Sequence, residues 1–160
     1  MQADPISLAE MTSFQKQKFY PNLFVDSYHK TSEETKDYNC VAWILGKQDE
    51  SVDLCLDDEG EPIPDFDPTP APYIEYFKKF GFILYEEAGL IEGIEKIALY
   101  QGREDYFEHV AKQLPNGNWT SKVGEFEDIE HYTLEALNNP TNYGHPTIIM
   151  GRKRIVDVEI

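Results

Sequence analysis

The stretch that decides the fold is His109-Val110-Ala111-Lys112-Gln113-Leu114-Pro115-Asn116-Gly117-Asn118-Trp119-Thr120-Ser121-Lys122-Val123-Gly124. Two β-prone runs, 107–114 and 119–123, flank an Asn-Gly dipeptide, the strongest short hairpin signal a sequence carries. A two-residue turn there sets His109 opposite Gly124 and Gln113 opposite Thr120. Alternation places His109 on one face with Phe107, Ala111 and Gln113, away from Val110 and Leu114. A histidine among residues that otherwise read as sheet core needs a polar partner.

Outward from the hairpin, residues 82–86 and 95–101 predict two earlier strands and 147–154 a last one, while 128–137 reads as a short helix. Upstream the period is helical. Residues 39–47 predict a short buried helix, with Val41, Ile44 and Leu45 at helical spacing, Asn39 as cap and Gly46 as stop. Residues 72–80 predict another, with proline tolerated in its first turn. Its stripe of Tyr73, Tyr76, Phe77 and Phe80 reads as core. Between the helices, 48–71 is an acidic, Pro-rich exposed loop carrying Asp57-Asp58-Glu59 and Pro62, Pro64, Pro68 and Pro70. Its carboxylates lack the spacing of a calcium loop. Residues 1–35 read as an irregular segment anchored by Phe14, Phe19, Tyr20, Pro21, Leu23 and Phe24. Helices followed by a mostly antiparallel sheet of about five strands define an α+β class. The length suits one domain over 1–160.

The chain carries 30 Asp and Glu against 14 Lys and Arg, a net charge of −16. Such a surface repels a phosphate backbone and an anionic bilayer, so neither nucleic acid nor membrane is an expected partner. The acidity either serves solubility or meets a cationic substrate or partner. No apolar run approaches the roughly 20 residues that span a bilayer. The first residues lack the basic flank and apolar core of a signal peptide, so a cytoplasmic location is expected. Two cysteines, Cys40 and Cys55, are too few for a disulfide scaffold.

Cys40 stands at the start of its predicted helix, where backbone N–H groups favour a thiolate. The competing reading is an ordinary buried cysteine. His109 is the candidate base, because a Cys–His pair has only to meet in space. Asp128 is the candidate orienter of the imidazole, unless it merely caps the predicted helix at 128–137; Glu130 is the second choice. Asn39 or the Tyr38 hydroxyl could complete an oxyanion site with the Cys40 amide. His131 is an alternative base. With Asp128 it forms only Asp-x-x-His, and Cys55, His29 and His145 are not spaced as further metal ligands. Gly89, Gly93 and Gly102 form no phosphate cradle, and no Gly-x-Ser-x-Gly motif occurs. No metal and no cofactor are expected.

Tyr38-Asn39-Cys40-Val41-Ala42-Trp43, Gly93-Ile94-Glu95-Lys96-Ile97-Ala98-Leu99-Tyr100, the His109 to Gly124 block and Asp128-Ile129-Glu130-His131 resemble, in this order, a largely uncharacterised family of small bacterial proteins. The resemblance spans about 36–154. A cysteine on a helix followed by a histidine on a strand is also similar to the papain-like superfamily, including NlpC-like peptidases and amidases. That similarity implies a papain-like core with Cys40 as nucleophile and His109 as base. The NlpC-like third polar residue comes from the strand after the histidine, where this chain has Thr120, Ser121 and Lys122. The leading expectation is a cysteine hydrolase or acyl transferase acting on an amide, ester or thioester bond of a protein or peptide-like substrate. The alternative is a non-catalytic acidic binding or immunity-type protein. A structural metal or redox role comes third.

Overall fold

The run Ile94-Glu95-Lys96-Ile97-Ala98-Leu99-Tyr100-Gln101 is buried along six consecutive positions, as expected of a strand covered on both faces. The computed structural model describes residues 28–30, 40–45, 52–122, 128–138 and 143–154. Within them this run is β3 (Ile94–Gln101) of one sheet with β1 (Tyr28–Lys30), β2 (Ile83–Tyr85), β4 (Phe107–Gln113), β5 (Trp119–Lys122), β6 (Asp128–His131) and β7 (His145–Lys153). The order is β1-β6-β5-β4-β3-β7-β2, antiparallel at every junction. Two helices accompany it, α1 (Cys40–Ile44) and α2 (Pro70–Lys78). Among the described residues no helix is long and apolar enough to cross a membrane.

The α+β, papain-like expectation of helices packed on about five strands is therefore corrected. The described chain is a β-rich domain, with a seven-stranded antiparallel sheet and two helices of five and nine residues. The two strands not read from the sequence, β1 and β6, lie side by side at one end of the sheet. The helix expected over 128–137 is instead β6 followed by a 3-10 turn at Leu134–Leu137. Ile129 and His131 alternate onto a buried face beside β5, and that tertiary pairing outweighs the weak helical spacing. Part of the segment expected to be irregular, Tyr28–Lys30, forms β1 against β6. Three residues carry too little pattern to announce a strand.

The hairpin is present, with its register one residue away from expectation. Lys112 pairs with Thr120 and Gln113 with Trp119. The Leu114 amide bonds the Asn118 carbonyl at 2.7 Å, closing a three-residue loop of Pro115, Asn116 and Gly117. Gly117 takes φ +91°, the left-handed conformation that ends such loops. A one-residue shift exchanges the faces of a whole strand. Here it moves Trp119 and Ser121 onto the face of His109.

Both faces of the sheet are packed. On one, Ile97, Leu99, Val110 and Met150 meet Val41 and Ile44 of α1 and Phe77 of α2. On the other, Ala98, Tyr100, Ala111, Trp119 and Ile129 meet Leu134, Ala136 and Leu137 of the 3-10 turn.

Candidate functional site

The helix-bearing face holds Cys40, and the opposite face holds His109. Cys40 opens α1 and is partly buried against the cluster that contains Val41, Ile44 and Val110. His109 precedes Val110 in β4, so its side chain leaves by the other face, where it lies edge-on to Tyr100 with ring centroids 5.3 Å apart. The sheet stands between thiol and imidazole, and the structure does not bring the two together. Burial pushes the Cys40 thiol up to about 11, outweighing hydrogen bonds from the Val110, Val41 and Cys40 backbone. The helix-start N–H groups do favour the thiolate, and burial overrides them.

The remaining candidates scatter. Tyr38 and Asn39 lie outside the described residues. Asp128 caps no helix; it opens β6, paired with Lys122. Glu130 accepts hydrogen bonds from Asn118 Nδ2 at 2.7 Å and Asn116 Nδ2 at 3.3 Å, so it braces the β4–β5 turn. His29 pairs with Glu130 in the β1–β6 ladder, His145 is exposed at the start of β7, and Cys55 is exposed. Among the described residues no three His, Cys, Asp or Glu side chains converge as a metal site.

His109 is held by a network the sequence did not reveal. Its Nε2 lies 3.0 Å from Ser121 Oγ, which lies 2.8 Å from His131 Nε2. His131 Nδ1 is 2.8 Å from the Thr133 carbonyl oxygen. That carbonyl can only accept, so His131 carries its proton on Nδ1 and its Nε2 is bare. The Ser121 hydroxyl then donates to His131, and its oxygen accepts from His109 Nε2–H. One acceptor at the end orders every proton in the chain.

Both rings are neutral. Burial, and then the proximity of His131, push His109 down to about 3. Burial pushes His131 down to about 4, against the favourable pull of the Thr133 carbonyl and the Glu130 charge. Tyr143 stacks on His109 with centroids 4.4 Å apart and planes 14° apart. The Tyr100 hydroxyl donates to the Leu134 carbonyl on the same face.

A hydroxyl on an imidazole whose far nitrogen is held by an acceptor is the order of a nucleophile, its base and an orienter. Ser121 and His131 are nevertheless each 0% exposed, so no substrate carbonyl reaches the hydroxyl in this state. What the chain does here is tie β4, β5 and β6 to the turn at 133–137. Its sequence signal was the loop length: Pro115-Asn116-Gly117 read as a three-residue loop puts Ser121 on the face of His109.

No curated protein and no solved structure matches the chain. Residues 29–151 match a family described as a domain of unknown function, so the chain belongs to the DUF7689 family.

Proposed function

We propose that this is a non-catalytic binding protein of immunity or adaptor type, acting in the cytoplasm, whose acidic surface receives a basic polypeptide partner. The observation that carries the reading is the ordered acidic hairpin before α2. Residues 52–69, ahead of α2, contain Asp53, Asp57, Asp58, Glu59, Glu61, Asp65 and Asp67 and no Lys, Arg or His. All seven are exposed. The hairpin is built around Asp57, whose Oδ1 accepts from the Glu59 amide at 3.0 Å and the Glu61 amide at 2.9 Å. A bond from the Ile63 amide to the Cys55 carbonyl at 2.8 Å closes it. The carboxylates are thus presented on a framework with little ordering entropy left to lose on binding.

Each exposed ion pair is worth about 0–1 kcal/mol, so these carboxylates contribute more to encounter rate and partner choice than to tight affinity. The cysteine-hydrolase reading needs a thiolate beside an imidazole, and Cys40 and His109 occupy opposite faces. The cytoplasmic assignment draws support from two cysteines that are both free thiols.

Partner capture followed by titration calorimetry tests the proposal. The expected result is a basic partner whose affinity falls steeply with salt, survives Cys40→Ala, and drops in Asp58→Asn/Glu59→Gln/Glu61→Gln. An affinity indifferent to ionic strength, or a hydrolytic activity abolished by Cys40→Ala, would overturn it.

A further inference from the structure

β2 lies at the end of the sheet, paired with β7 alone among the described residues. Ile83 and Leu84 are 60% and 57% exposed there, which leaves a sheet edge that is both open and apolar. Such edges are templates for another strand. The loop that follows extends the apolar surface with Leu90 and Ile91, 49% and 45% exposed. Those two residues form a ridge between two grooves. One, of about 480 Å³, is lined by Leu84, Tyr85, Glu86 and Glu87; the other, of about 570 Å³, by Glu92, Pro115 and Arg154.

The ridge is rigidly mounted. Lys96, 1% exposed, donates to the Glu87 and Gly89 carbonyls at 2.6 Å each and lies over the Tyr85 ring. Gln113 Nε2 donates to the Ala88 carbonyl at 3.0 Å. Two buried side chains from neighbouring strands thus hold three consecutive carbonyls of a loop whose tip is apolar and exposed.

We infer that the outer edge of β2 and the groove beside it take an extended segment of a partner polypeptide, alternating basic and apolar residues, as an added strand. Charge selects this occupant. Glu86, Glu87 and Glu92 are exposed around the apolar residues, while the ammonium of Lys96 and the guanidinium of Arg154 donate to the carbonyls of Glu87, Gly89 and Ile94. A second copy would bring −16 against −16 and is disfavoured. In an added strand, main-chain hydrogen bonds supply affinity and alternate side chains supply specificity. Apolar residues of the incoming strand would fall beside Ile83 and Leu90, on the Lys96 face of the sheet, and its cations on the opposite face, toward Glu86. This rests on the acidic binding reading and names a surface for it.

The test uses a fluorescein-labelled peptide of alternating Lys and Val, with a Glu–Val peptide as charge control, followed by anisotropy and amide hydrogen exchange. The full chain should bind the Lys–Val peptide and slow exchange at Ile83–Tyr85. Leu90→Ser/Ile91→Ser, both at exposed positions that leave the core intact, should weaken binding about tenfold or more. Glu86→Gln/Glu87→Gln should weaken it and flatten its salt dependence. Absence of binding, equal affinity for the groove variants, or unaltered exchange at β2 would overturn the inference. If Asp58→Asn/Glu59→Gln/Glu61→Gln lowers affinity while the groove variants bind like wild type, the acidic binding reading stands and the strand-addition site falls.

Discussion

The Ser121 hydroxyl donates to His131 Nε2 across 2.8 Å while accepting from His109, and this one side chain satisfies two buried rings. Ser121→Ala therefore strands an acceptor on His131 and a donor on His109. Each unsatisfied buried group costs about 1–3 kcal/mol, so a loss of roughly 2–5 kcal/mol is expected. Urea unfolding measures it. A change below about 0.5 kcal/mol, the range of ordinary surface substitutions, would contradict the network.

Acid should unfold the protein through the same pair. An unfolded chain protonates both histidines as pH falls through 6.5, whereas the folded chain resists until about 3 at His109 and about 4 at His131. The unfolded state then binds more protons, so these groups lower stability progressively from pH 6.5 downward and contribute no pH dependence above it. Near pH 5 the two together give a slope of about 2–3 kcal/mol per pH unit. Unfolding free energies across pH 4–7 should show His109→Gln reducing that slope by about half. An unchanged slope would remove His109 from the account.

The thiols should separate cleanly. Exposed Cys55 should react with an aromatic disulfide reagent in the native protein at the rate of an ordinary thiol. Cys40, partly buried and held up at about 11, should react far more slowly than Cys55 until the chain unfolds. Two fast thiols in the native state would refute the burial of Cys40.

Lys96→Met keeps the aliphatic stem and removes the ammonium from the Glu87 and Gly89 carbonyls. Exchange of amides at 86–92 should accelerate, with a stability loss of about 1–3 kcal/mol for the two orphaned acceptors. Protection that stays at the wild-type level would show that the loop does not depend on Lys96.

Gly144 adopts φ +70°, and a Cβ there would lie 2.0 Å from the Gln101 carbonyl oxygen. Gly144→Ala should therefore cost several kcal/mol, well beyond the roughly 1 kcal/mol expected of Gly117→Ala, where a Cβ would meet only Leu90 Cδ2 at an ordinary 3.7 Å. Thermal melts of the two variants compare them directly.

Strands β2, β3 and β7 were legible from continuous apolar runs, and β4 and β5 from the β-prone runs on either side of Asn116-Gly117. Helix α2 was legible through its aromatic stripe, although Thr69 and Pro70 start it two residues earlier than expected. β6 was not, because Ile129 and His131 acquire a buried face only from β5. The hairpin was legible and its register was not: Asn-Gly marks a turn without stating whether two residues or three close it. For the site, alternation correctly separates His109 from Val110. It says nothing about which face α1 will cover, and the Cys40–His109 pairing rested on that unread choice. Ser121 reads, with Thr120 and Lys122, as a poor orienter of an imidazole, because a hydroxyl carries no charge to hold the ring.

The insertion of β7 between β3 and β2 sets an order of assembly. The β3–β6 meander joins sequence neighbours and can close as the chain emerges. β2 has no place in the sheet until residues 145–153, some sixty positions later, have docked on β3. Its exposed Ile83 and Leu84 thus become an organised edge only once residues 145–153 have been synthesised and paired. A nascent or truncated chain would keep the acidic hairpin and lack the platform, which postpones any strand-adding partner until the domain is finished.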